Sequence, residues 1–216
     1  MADWVTISQV ATAGGTLVLA IATFSSIKSS NRSARIAERS LLAGQRPVLI
    51  PSREDDPGEL VRFGDGVLLR IGPHGGLLEL RNDRLYMAMA LRNGGAGLAV
   101  IHGWHVQLGT TSSADARMPK LDVFRRQQRD LYVPAQQTGF WQGAIRDADD
   151  PDYDVIRTAA ETGARIYVHI LYGDYEGGQR AVARFGISSA SPAESDDAAG
   201  RADILRYWSV DGEDPR

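Results

Sequence analysis

Apolar positions divide this chain into three regimes. From Trp4 to Ile27 there is no charged residue, and Trp4, Val5, Ile7, Val10, Leu17, Val18, Leu19, Ile21, Phe24 and Ile27 recur among Thr, Ser, Ala and Gly. A helix of roughly 24 residues at about 1.5 Å each reaches about 36 Å, enough to cross a hydrocarbon core of about 30 Å. The pattern predicts a transmembrane anchor helix over residues 1–27; a buried helix of a soluble fold and an interfacial helix are the competing readings. A cleaved secretory signal fits less well. Ala20-Ile21-Ala22 resembles a cleavage box, but the opening Met1-Ala2-Asp3 lacks a positive n-region. The cations come after the span, at Lys28, Arg32, Arg35 and Arg39, where the positive-inside rule assigns them to the cytoplasmic face. The expected layout is a single-pass protein of the cell membrane, N-terminus outside and C-terminal domain cytoplasmic.

Within that span Ser8, Thr12, Thr16 and Ala20 recur every fourth residue beside Ala11 and Gly15, a stripe of small side chains that lets helix backbones approach. The expected partners are therefore the lipid bilayer and, through the stripe, a second copy or another membrane protein. Alternatively these residues merely fill a weak anchor. A basic juxtamembrane helix follows over 28–46, with Ile36, Leu41 and Leu42 among Arg and Ala residues of high helix propensity, and Gly44 and Pro47 end it. The two helical stretches predict a nearly continuous rod from about Val5 to Ala43.

Beyond Pro47 the period changes to short apolar runs broken by Gly, Pro, Asp and Asn, the pattern of strands joined by turns. Val67–Ile71 and Leu77–Arg81 flank Gly72-Pro73-His74-Gly75-Gly76 in a hairpin-like arrangement. Leu85, Met87, Met89 and Leu91 share one face of a covered strand, with Ala88 and Ala90 on the other. Alternation over Ala99–Leu108 groups Val100, His102, Trp104, Val106 and Leu108, opposite His105 and Gln107. Leu131–Val133 and Thr138–Ile145 are further strands, separated at Pro134. Asp152–Thr162 is the one inserted helix, with Asp152 as N-cap, Val155, Ile156, Ala159 and Ala160 as its apolar face, and Gly163 as its stop. A hairpin follows, with Ile166, Val168, Ile170 and Tyr172 set against Ala181, Ala183, Phe185 and Ile187. About eight strands around one helix predict an immunoglobulin-like β-sandwich over 47–188, with a barrel as the alternative. Residues 189–202 read as a flexible linker. The tail 203–216 returns to the domain through Ile204, Leu205, Tyr207 and Trp208, or else engages another protein.

Composition narrows the function classes. Lys and Arg total 24 against 27 Asp and Glu, a formal charge of −3, so nothing in the overall balance favours nucleic acid as a partner. There is no cysteine, hence no disulfide, thiolate zinc site or cysteine nucleophile, which fits a reducing compartment. A mean hydropathy of −0.24 confines any membrane contact to one segment. His102 and His105, three apart on a strand, are expected on opposite faces and so cannot share a metal ion. The aspartates at 147, 149, 150, 152 and 154 form an acidic loop that could attract calcium, yet it lacks the glycine and terminal glutamate of an EF-hand. Gly94-Gly95-Ala96-Gly97 is not followed by a helical period and reads as a turn, not a phosphate cradle. Arg125, Arg126 and Arg129 with Gln127 and Gln128 make a small basic loop. No catalytic motif and no cofactor site is recognised.

Leu91-Arg92-Asn93-Gly94-Gly95-Ala96-Gly97-Leu98-Ala99 resembles the N-x-G-x-G-x-A turn of bacterial proteins built as membrane helix, basic helix and β-sandwich. Ser33–Arg39 leading to Gln45-Arg46-Pro47, Tyr172-Gly173-Asp174, Arg206-Tyr207-Trp208 and Asp214-Pro215-Arg216 are similar to an actinobacterial branch of that group, whose function is unknown. The resemblance implies an anchored domain and brings no catalytic residue. The expected function is a membrane-anchored cytoplasmic interaction or scaffolding module, with an accessory subunit of a larger membrane complex, or a ligand-binding domain or hydrolase with a loop-built site, as alternatives.

Overall fold

A computed structural model describes residues 4–109, 117–188 and 200–211, without side chains for residues 4–7, 10 and 11. The chain divides into two compact units, residues 1–44 and 45–216.

The first unit is one helix, α1, Trp4–Gly44, 41 residues long. Its span tolerates threonine because the hydroxyls of Thr12, Thr16 and Thr23 donate to the carbonyls of Ser8, Thr12 and Leu19, one turn back, at 2.8, 2.9 and 2.8 Å. All side chains from Thr12 to Gly44 are exposed, the small stripe and Lys28, Arg32, Arg35 and Arg39 included. Leu19 is 68% exposed and Phe24 72%. Among the described residues no helix is long and apolar enough to cross a membrane; Val5, Ile7, Val10 and Ala11, which open the expected span, have side chains outside that set.

The second unit is mainly β. In chain order its elements are β1 Leu49–Pro51, β2 Glu59–Arg62, β3 Leu68–Ile71, β4 Gly75–Arg81, β5 Arg84–Asn93, β6 Ala99–Leu108, β7 Arg125–Val133, β8 Thr138–Ile145, helix α2 Tyr153–Thr162, β9 Ile166–Gly173, β10 Ala181–Ile187 and β11 Gly200–Ser209. Nine of the strands form one curled antiparallel sheet in the order β1-β5-β4-β11-β10-β9-β6-β7, with β8 also on β5. Curling wraps one core, in which Met87, Met89 and Trp141 from one half meet Trp104, Ile170 and Phe185 from the other. The β2–β3 hairpin is separate. It covers the other face of β5, burying Val61, Phe63, Leu69 and Ile71 against Tyr86, Ala88 and Ala90. Strand β5 is thus apolar on both faces because both are covered, as its Leu/Met and Ala rows predict.

Tyr172, Ile170, Val168 and Ile166 face Ala181, Ala183, Phe185 and Ile187 in register, as the alternation predicts. Elsewhere the structure departs from the sequence reading. Gly72–Gly76 joins β3 to β4 without pairing them; the hairpins lie at Gly64–Gly66, joining β2 to β3, and at Asn82-Asp83, joining β4 to β5. Asn82 and Asp83 both have positive φ, 51° and 55°, the conformation of a tight two-residue hairpin. In β6 the register slips between Ile101 and Gly103, so Ala99 and Ile101 point inward before the bulge and Trp104 and Val106 after it. Val100 and His102 therefore do not share a face with Trp104. The segment read as a basic loop at 125–129 is the first half of β7. In α2 the buried residues are Tyr153, Ile156 and Ala159, while Val155 is 45% exposed. Gly163, with φ 72°, closes that helix, and Asp152 precedes it without a side-chain cap. Residues 200–202, assigned to the linker, open β11, and Ile204–Trp208 pair with β10 across a bulge at Arg184/Phe185. The rest of the expected linker, 189–199, and residues 212–216 lie outside the described residues.

Candidate functional site

The bulge in β6 changes the fate of the two histidines. Opposite faces were expected from an unbroken strand. With one residue extra, His105 registers against His169 of β9 on the outer side of the sheet, and His102 also lies there, its Nε2 3.0 Å from where a Cβ on Gly173 would stand. The His105 and His169 rings stack at 5.7 Å, and Trp208 continues the stack 6.0 Å beyond His169. Burial pushes the His169 imidazole down to about 3, with the Arg184 and His105 charges acting in the same direction. His169 is neutral at physiological pH. Burial likewise lowers His102 and His105. Among the described residues no three His, Asp or Glu side chains converge as a metal site.

The acidic loop and the basic segment, 25 residues apart in the chain, meet. Both Nη atoms of Arg125 donate to Asp150, and its Nη2 donates to Asp152 at 2.6 Å. The guanidinium also lies 5.3 Å over the Trp104 ring. Arg125 holds the Asp150 carboxyl below its ordinary range against the opposing effect of burial. Asp147 instead accepts from the Asp149 backbone N–H at 3.0 Å, a local turn. Asp154 pairs with Arg157 at 3.2 Å, so three of the five candidate calcium ligands have an internal counter-ion.

Beside this ion pair is a cleft of about 170 Å³. It forms where β7 carries more residues than its neighbour. Ile101 pairs with Leu131 and Gly103 with Arg126, so Gln127–Asp130 have no partner on β6. Trp104, Arg126, Gln127, Arg129, Gln142 and Arg146 line it. Its floor needs glycine at 143, since a Cβ there would stand 2.7 Å from the Trp141 ring. Gln127 donates to the Gln142 carbonyl at 3.1 Å, while Oε1 of each glutamine is buried without a partner among the described residues. Arg146 donates to Asp65 at 3.0 Å, and the Tyr86 hydroxyl donates to the same carboxylate at 2.7 Å; these bonds overcome burial and hold Asp65 at about 2. The lining offers guanidinium, amide and indole groups, and no carboxylate, imidazole or hydroxyl to carry a proton.

The glycine-rich turn serves the architecture. Asn93 is fully buried, and its Oδ1 accepts from the N–H groups of Val48 and Gly95 at 3.1 and 2.9 Å, while its Nδ2 donates to the carbonyls of Gly97 and Val133 at 2.6 and 3.0 Å. A Cβ at Gly95 or Gly97 would fall 2.2 or 1.8 Å from the carbonyl oxygens of Arg46 and Gln45. Close passage of the chain entering the domain dictates these glycines. No family model, curated protein or solved structure matches the chain, so the resemblance to anchored bacterial proteins rests on its short motifs alone.

Proposed function

We propose that the chain is a membrane-anchored interaction module whose helix lies in lipid and whose β domain works on the cytoplasmic side. The carrying observation is the surface of α1: Leu17, Val18, Leu19, Ile21, Phe24 and Ile27 are each more than half exposed, in a stretch free of charge and bordered by Lys28, Arg32, Arg35 and Arg39. Apolar surface on that scale demands a cover, and lipid meets the demand while the flanking cations set the direction. The small stripe gives the same helix a face for a second copy or another membrane helix.

We read the β domain as immunoglobulin-like. Support comes from the pairing order: β4-β5-β8 on one side and β7-β6-β9-β10 on the other, with the chain changing sides between β5 and β6, β7 and β8, and β8 and β9. Trp104, buried on β6, has the position of the core tryptophan of such sandwiches. The cleft between the β7 and β8 edges is the surface available for a partner.

Fractionation of cells expressing the C-terminally tagged protein, followed by protease treatment of right-side-out vesicles, tests the reading. The expected result is full-length protein in the membrane pellet with its tag protected. Recovery of the intact chain in a detergent-free soluble fraction would end the proposal, and a digested tag would reverse its orientation.

A further inference from the structure

On the outer side of the curled sheet, four basic side chains form one row across four neighbouring strands. His105 is paired with His169, His169 with Arg184, and Arg184 with Arg206. Arg184 is only 3% exposed, and its Nε is sealed without a hydrogen bond among the described residues, as is that of Arg206. Neither arginine has an ion pair among the described residues: the carboxylates nearest in sequence on β11 and beyond it are taken, Asp203 by Arg165 at 2.8 Å and Asp211 by Arg180 at 2.7 Å. What the two guanidiniums do have is aromatic. Arg184 lies 3.9 Å over the Tyr167 ring, and Arg206 5.6 Å over that of Trp208.

Like charges directly opposite one another on a sheet repel, and a buried cation without a counter-ion is among the more costly features a fold can carry. Histidine does not relieve the row, because neutral His169 brings no negative charge. A single ligand would. An oxyanion seated between two guanidiniums accepts paired N–H donors from each, the geometry at which arginine exceeds lysine, and a phosphate near neutral pH carries about the charge that two arginines need.

We propose that Arg184 and Arg206, flanked by Tyr167 and Trp208, form a binding site for a phosphate group on the outer side of the sheet. The site is independent of the membrane reading. The same chemistry is offered by a soluble phosphate ester and by a lipid headgroup.

Thermal melting of the full chain in neutral detergent, in inorganic phosphate against chloride at equal ionic strength, tests it. Saturating phosphate is expected to raise the wild-type Tm by about 5 °C. R184M is expected to melt in chloride no lower than wild type, since an unpaired charge has gone, and to show no phosphate shift. R206M, at a half-buried position, should lose most of the shift and serves as the arbiter should R184M fold poorly. Absence of a phosphate shift in wild type, or an equal shift in R206M, would overturn the site. Nanodiscs of phosphatidylcholine with and without phosphatidic acid separate the sources: a headgroup ligand raises Tm in an Arg206-dependent way without added phosphate, whereas a soluble ligand requires the free ion.

Discussion

The helix and the β domain solve the problem of polar groups in opposite ways. In α1 the described side-chain hydrogen bonds go four residues back along the same helix, from Thr12, Thr16 and Thr23, and its described apolar side chains are all exposed. In the β domain Asn93 bonds groups up to 45 residues away and the Tyr172 hydroxyl accepts from the Leu49 N–H across 123 residues. One unit satisfies its backbone by itself and leaves its apolar surface to the surroundings; the other ties distant parts of its chain together and buries its apolar side chains in its own core. Substitutions should therefore act on domain stability in the second unit and on environment in the first.

The largest test of that contrast is Asn93→Ala, which strands four backbone groups, two of them buried. We expect a loss of about 4 kcal/mol in chemical denaturation of the domain; a loss below about 1 kcal/mol would mean that the hub is not holding the fold. Next is pH. His169 stays neutral in the folded state down to about 3, whereas the unfolded chain takes up a proton near 6.5. Its folded pKa is depressed, so the associated stability is complete above pH 6.5 and falls away between 6.5 and 3. From pH 7 to pH 5 the wild type should lose about 2 kcal/mol by this route, and His169→Phe should show a flatter profile over that interval. Arg125→Met removes the counter-ion of Asp150 and Asp152, and because the pair is partly solvated the expected loss is about 1 kcal/mol. Loss of cooperativity in that variant would instead make the ion pair the latch of the cleft. Smallest is Leu19→Ala in α1, expected to leave domain stability within about 0.5 kcal/mol while weakening partition into vesicles; a large drop in domain stability would abolish the contrast.

Much of the fold was legible wherever a face was buried without interruption. The Leu85–Leu91 row and the β9–β10 rows were legible because a period of two over an unbroken buried row shows directly in the sequence. The stop at Gly163 and the end of α1 at Gly44 were legible for a local reason, in the conformational freedom of glycine and the break of proline beyond it. At His102 the alternation misled, since a bulge adds one residue without marking the sequence. The Asn82-Asp83 turn was passed over for the glycines at 72–76, although Asn and Asp also accept positive φ. Arg125 and the aspartates were each legible as charged segments, but not as partners.

The sequence by itself determined the strand-rich composition of the domain, the long N-terminal helix and the absence of any familiar catalytic motif, because these follow from period, propensity and residue type within a few neighbouring positions. Only the tertiary structure decided that the acidic loop meets Arg125, that β7 opens a cleft beside Trp104, and that Arg184 and Arg206 face each other without a counter-ion among the described residues. Those contacts join residues tens of positions apart, and strand order and bulges, which bring them together, are set by the packing of the whole sheet.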